Sequence, residues 1–114
     1  MPPLSVLDAL NAVIADRKAH PAAERSYVAS LLQAGLPKIS AKILEEAAEV
    51  VEAAAEPGPA GRDHLVKEVA DLLFHALVLL AHRDTPWSEV ESELARRFGT
   101  SGITEKASRP LRPS

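Results

Sequence analysis

At 114 residues, with a formal net charge of -3 and no cysteine, the chain can hold one hydrophobic core but not two, and disulfides and thiolate zinc sites are excluded. It carries no basic footprint for nucleic acid, no leader-like N-terminus and no run of roughly 20 apolar residues to span a membrane, so a cytoplasmic protein is expected. Only four aromatic residues and abundant alanine favour thin, closely packed helices over a sheet sandwich. In chain order, Ser5 and Asp8 form a capping box that opens a first helix, with Leu7, Leu10 and Ile14 on one face up to about Lys18. From Ser26 the stretch "SYVASLLQAG" carries Val28, Leu31 and Leu32 and stops at Gly35 and Pro37. A third helix is predicted from about Lys38 to Ala55 and closed by "EPGPAG". A fourth runs from about Arg62 to His82. Thr85 as N-cap and Pro86 in the first helical position start a fifth, ended by Gly99. The expected fold class is all-α, a four- to five-helix bundle over residues 1–98, with a polar tail over 99–114.

The third and fourth helices pose an electrostatic problem. At 100° per residue, Ile39, Ile43, Ala47, Val50 and Ala54 line one half of the third helix, flanked by Leu44, Ala48 and Val51. Lys38, Lys42, Glu45, Glu46, Glu49 and Glu52 fill the other half, with Glu46 at the edge of the apolar stripe. The fourth helix is apolar nearly all round, which predicts burial. Yet Glu68, Asp71, His75 and His82 share one narrow stripe on it. Carboxylates inside a bundle cost several kcal/mol unless paired or bound to a metal.

Two arrangements answer that cost. Lys38 and Lys42 could neutralise Glu68 and Asp71 as ion pairs. Alternatively the two i,i+3 pairs, Glu46 with Glu49 and Glu68 with Asp71, face each other and make a four-cornered oxygen cage. Such a cage selects a hard cation, and Mg²⁺ keeps its remaining positions for water or substrate phosphates. A di-iron site is disfavoured, because neither helix holds the Glu-x-x-His pair that it needs. His75 is expected to be a hydrogen-bonded core residue beside the cage, with His64 and His82 at helix ends and Trp87 packing the last helix.

"EEAAE" (Glu45 to Glu49) followed by "EVAD" (Glu68 to Asp71) resembles the MazG-like, all-α nucleoside triphosphate pyrophosphatases. With "SYVASLLQAG", "KISAKILEEAAEVVEAA" and "EVADLLFHALVLLAHR" in this order and spacing, the chain from about Leu4 to Phe98 is similar to the phosphoribosyl-ATP pyrophosphatases of histidine biosynthesis. It departs from them at Leu44, where glycine is common, and at Val28, where threonine is usual. Neither departure touches a carboxylate. The tail "SGITEKASR" is similar to the extension of some members, and the missing cysteines argue for a form without a fused cyclohydrolase.

The resemblance implies hydrolysis of 1-(5-phosphoribosyl)-ATP to the AMP derivative and pyrophosphate, with Mg²⁺, by a helical homodimer. Glu46, Glu49, Glu68 and Asp71 would be the metal ligands. Glu45 would be a further ligand or the base acting on the attacking water. Lys38 and Lys42, on the Glu45 and Glu49 face, would meet phosphate oxygens, and Ser26 and Tyr27 would help bind substrate. Lys106 and Arg109 could add positive charge if the tail folds over the site. Dimerisation has separate support, since one thin protomer cannot easily cover the apolar fourth helix. A house-cleaning pyrophosphatase of the same superfamily and a non-enzymatic dimerisation module are the alternatives, and "SYVASLLQAG" favours the first reading over the house-cleaning enzyme.

Overall fold

A computed structural model describes residues 5–21 and 26–98. The described residues form five α-helices, with no strand among them: α1 (Val6–Ala19), α2 (Tyr27–Ala34), α3 (Leu36–Ala54), α4 (Gly58–His82) and α5 (Trp87–Phe98). The expected all-α class is therefore met. The expected tail over 99–114, with Lys106 and Arg109, lies outside the described residues.

The chain falls into two compact units, Met1–Asp84 and Thr85–Ser114. In the first, α3 and α4 pack along their lengths, while α1 and α2 cover part of that pair. Ile14 of α1, Leu31 of α2, Ile39 of α3 and Leu77 and Val78 of α4 are the largest fully buried side chains. Burial of each is worth about 1.5–3 kcal/mol. At the far end, the Lys18 ammonium donates to the Ala81 carbonyl at 2.6 Å and to the Asp84 carboxylate, tying the end of α1 to the end of α4.

The caps follow the sequence closely. Ser5 Oγ accepts from the Asp8 amide at 3.0 Å and Ser26 Oγ from the Ala29 amide at 2.8 Å, each relieving one of the unsatisfied N–H groups that open a helix. Between α2 and α3 the chain turns on the single residue Gly35, whose φ of 86° suits glycine. Pro37 then falls in the first turn of α3, where no N–H is required of it.

The prolines and glycines of "EPGPAG" start α4 instead of only separating it from α3. Pro59 sits in the first turn, and the helix begins at Gly58, one turn earlier than the apolar pattern predicts. That early start moves His64 from a helix end into the body of α4, whereas His82 is its last residue, as expected. Gly61 is buried where this first turn passes the preceding loop, and a Cβ there would run into the Glu56 carbonyl oxygen.

Two expectations about faces are corrected. The buried line of α3 is Ile39, Glu46 and Ala53, turned roughly 60° round the helix from the apolar centre. Glu46 thus lies in the middle of the buried face, and Leu44 and Val51 are left 73% and 71% exposed. Nor is α4 covered on all sides: Val66, Val69 and Leu73 are exposed. Three partner helices, two of them short, close only part of its circumference within the unit.

In the second unit α5 begins at Trp87, one residue later than predicted, although the Glu89 amide already donates to the Pro86 carbonyl at 3.0 Å. Arg96 and Arg97 both donate to Glu93 and, Arg96 foremost, lower its carboxyl to a pKa of about 2. Their support of α5 is complete above the ordinary glutamate range and is lost progressively as pH falls from that range to about 2.

Gly61→Ala should lower the unfolding free energy by about 1–3 kcal/mol in urea titrations, because backbone must move to admit the methyl group. A variant as stable as the parent would show that the Glu56 contact is looser than described.

Candidate metal centre

Glu46 is 6% exposed and His75 is 4% exposed, and they are the only buried polar or charged residues among those described. They meet at the α3–α4 interface, where His75 Nδ1 lies 4.0 Å from Glu46 Oε1. His75 Nδ1 also lies 2.9 Å from the Asp71 main-chain oxygen, and Nε2 lies 2.9 Å from the Tyr27 hydroxyl. A carbonyl oxygen only accepts, so Nδ1 donates to Asp71, and Nε2 pairs with the Tyr27 hydroxyl. His75 is thus a hydrogen-bonded core residue, as the sequence suggests. It joins α2 to α4 and is flanked edge-on by Tyr27 and Phe74.

Around this core, Glu46, Glu68 and Asp71 each bring one carboxylate oxygen within 4.8 Å of the others. Glu46 is buried, Glu68 half-buried and Asp71 exposed, so the group grades from the interface to solvent. Two of its oxygens, Glu46 Oε2 and Glu68 Oε1, are buried without a hydrogen-bond partner. A buried carboxylate oxygen in that state is strongly unfavourable unless something of opposite charge meets it.

The fourth expected ligand, Glu49, stands beside this trio and not inside it. Its interaction with the Glu68 carboxylate, followed by loss of solvent, raises its pKa above the ordinary glutamate value. A raised carboxyl pKa is the expected response to crowding of like charge.

The lysines do not supply the missing charge. Lys42 Nζ donates to Glu45 Oε2 at 3.2 Å. That bond, and next the field of Tyr27, raise the Lys42 pKa. The pairing of Lys42 expected under the ion-pair alternative, with Glu68 or Asp71, is therefore not the one formed. Glu45 is exposed and lies outside the trio, and Lys38 is exposed near the start of α3. Ser26 is the cap of α2, while Tyr27, half-exposed, stacks on Phe74 with ring centres 6.0 Å apart.

His64 was not singled out from the sequence as part of this region. Its Nδ1 lies 2.9 Å from Glu56 Oε2 and its Nε2 lies 3.3 Å from Glu68 Oε2. The hydrogen bond to Glu56, then the charges of Glu56 and Glu68, raise its pKa. The signal was present as i,i+4 spacing to Glu68, which extends the stripe of Glu68, Asp71 and His75 one turn backwards. An assumed helix start at Arg62 hid it.

The donor set is all oxygen, negatively charged, and includes two buried oxygens without partners. It fits a hard divalent cation such as Mg²⁺, with positions left over for water or phosphate. The oxygens lie within 4.8 Å of one another, a limit wider than the roughly 3 Å between neighbouring ligands of Mg²⁺. Rotation of the side chains, Asp71 being exposed, is what must close it.

Comparison with known proteins agrees with the sequence motifs. The profile of the family described as phosphoribosyl-ATP pyrophosphohydrolase matches residues 7–98. The chain belongs to this family. It is 57% identical over 106 residues to the phosphoribosyl-ATP pyrophosphatase of Trichlorobacter lovleyi, an alignment covering 91% of this chain and 93% of that protein. It is 54% identical over 106 residues to the protein of that name from Geobacter metallireducens, covering 92% and 93%. With the one from Rhodopirellula baltica it shares 53% over 89 residues, covering 78% and 74%. The resemblance drawn from the acidic motifs and "SYVASLLQAG" is borne out at the level of the family.

Asp71→Asn should raise the metal-free melting temperature, by relieving repulsion, while weakening Mg²⁺ binding at least about tenfold in calorimetric titration. A fall in metal-free stability with unchanged Mg²⁺ affinity would mean that Asp71 serves the fold.

Proposed function

We propose that the chain hydrolyses 1-(5-phosphoribosyl)-ATP to 1-(5-phosphoribosyl)-AMP and pyrophosphate, the second step of histidine biosynthesis, in the cytoplasm and with Mg²⁺. The observation that carries this reading is the pair of buried, partnerless oxygens on Glu46 and Glu68 beside Asp71. Membership of the family and the names of the relatives supply the substrate. The domain responsible is taken as residues 1–98, in keeping with the profile match over 7–98.

In the reaction a water oxygen bonds to the α-phosphorus and the bond from that phosphorus to the bridging oxygen breaks. Pyrophosphate leaves with the electron pair, and the proton of the water passes to a base. Bound Mg²⁺ supplies neutralisation of charge on the triphosphate and the leaving group. Glu46, Glu68 and Asp71 would hold it, with Glu49 beside them as a fourth ligand.

The remaining roles follow from where the side chains sit. A triphosphate competes with Glu45 for Lys42, and that exchange releases Glu45 to take the proton of the attacking water. Lys38, on the exposed first part of α3, adds positive charge for phosphate. Ser26 Oγ accepts from the Ala29 amide, which leaves its own hydroxyl proton to donate to substrate. Tyr27, its hydroxyl held by His75 and its ring half-exposed, offers a surface for the substrate's base.

The working form is proposed to be a homodimer. Val66, Val69 and Leu73 on α4, with Leu44 and Val51 on α3, are exposed in the single chain, and a second copy is the partner that such apolar faces suit. Light scattering should give the mass of two chains; a monomer at working concentration would overturn this part alone.

Pyrophosphate release with Mg²⁺ should strongly prefer phosphoribosyl-ATP over ordinary and deoxynucleoside triphosphates. Glu46→Gln and Glu68→Gln should lower kcat/KM by about 10²–10³-fold, with the fold retained. Preference for a deoxynucleotide would discard the pathway and keep the site, and absence of turnover of every substrate would sink the enzyme reading.

A further inference from the structure

The carboxylate of Glu68 is the hinge of the cluster. Its Oε1 is buried without a partner, and its Oε2 lies 3.3 Å from His64 Nε2. Glu68 has three rotatable side-chain bonds, so without a tether its carboxylate would sample several orientations in an apo site crowded with negative charge. His64 is itself anchored on its other side, with Nδ1 2.9 Å from Glu56 Oε2. Each ring nitrogen thus faces a carboxylate oxygen. The chain Glu56, His64, Glu68 therefore runs from the loop before α4, across its second turn, to the edge of the acidic trio. The same loop residue, Glu56, is the one pressed against Gly61, which holds the anchor in place.

We propose that His64 is a positioning residue of the cation site: held by Glu56 through Nδ1, it ties down Oε2 of Glu68, so that Oε1 is the oxygen presented to the ion. The inference rests on the metal-site reading given above. His64 does not touch the ion. Its ring lies on the outer side of Glu68, 39% exposed at the side chain, and it is not a member of the trio that can meet around one point. It acts by fixing the orientation of a ligand, as partners of ligating carboxylates in other metal sites do.

Three variants test this with Mn²⁺ as the probe, its free concentration read by electron paramagnetic resonance, independently of turnover. His64→Ala should weaken Mn²⁺ binding about 10- to 100-fold, while the metal-free melting temperature stays near that of the parent. His64→Gln, whose side-chain amide can still donate to Glu68, should recover part of the loss. Glu56→Ala, which frees the ring but leaves it present, should cost a few-fold. Unchanged Mn²⁺ affinity in His64→Ala, with binding intact in the parent, would overturn the positioning role alone. If His64→Ala fails to fold, affinities equal to the parent in both His64→Gln and Glu56→Ala would overturn it equally. Absence of Mn²⁺ binding by the parent would overturn this inference together with the metal-site reading.

Discussion

The structure turns on a carboxylate placed where a hydrophobic side chain would be expected. Glu46 occupies the middle of the buried face of α3, between Ile39 and Ala53, and looks across at α4. A leucine there would stabilise the α3–α4 interface by a few kcal/mol, whereas an unpaired carboxylate costs about as much. Among the described residues no lysine or arginine is paired with Glu46. The surroundings add two further carboxylates, from Glu68 and Asp71, and a histidine whose two ring nitrogens are already engaged by the Asp71 carbonyl and the Tyr27 hydroxyl. A divalent cation would offset that cost, and the rest of the unit can be understood as the means of holding the arrangement for it.

The supporting contacts all lead towards this point. Tyr27, at the start of α2, fixes His75 against the interface. Ser26 and Gly35 set where α2 begins and ends, and hence where the Tyr27 hydroxyl falls. Glu49 crowds Glu68, and His64 Nε2 lies 3.3 Å from the same residue. Lys42 and Glu45 pair just outside, carrying one positive and one negative charge at the rim where a triphosphate would arrive. The apolar surface left open on α4 belongs to the same design, since a helix that devotes one stripe to charge has its opposite face available for another chain.

Much of this was legible in the residues. Helix content, the cap at Ser5, and the union of Glu46, Glu68 and Asp71 follow from capping chemistry, periodicity and acidic pairs at i,i+3 spacing. The rotation of α3 was not legible, because apolarity alone centres the buried face on Ile43 and Val50, and only the packing against α4 turns Glu46 inward. The start of α4 was misjudged since proline and glycine, which stop a helix, also open one, and His64 was overlooked as a consequence. The pairing of Lys42 with Glu45 instead of the inner carboxylates depends on side-chain reach, which helical spacing does not specify.

The central claim is that the buried oxygens are held for a cation. A crystal structure of the protein grown with Mn²⁺, with anomalous scattering recorded at the manganese edge, tests it most directly. The account predicts an anomalous peak within about 2.1–2.3 Å of Glu46 Oε2, Glu68 Oε1 and an Asp71 carboxylate oxygen. A well-ordered site without that peak, in which Glu46 and Glu68 remain apart or turn to protein partners, would contradict it.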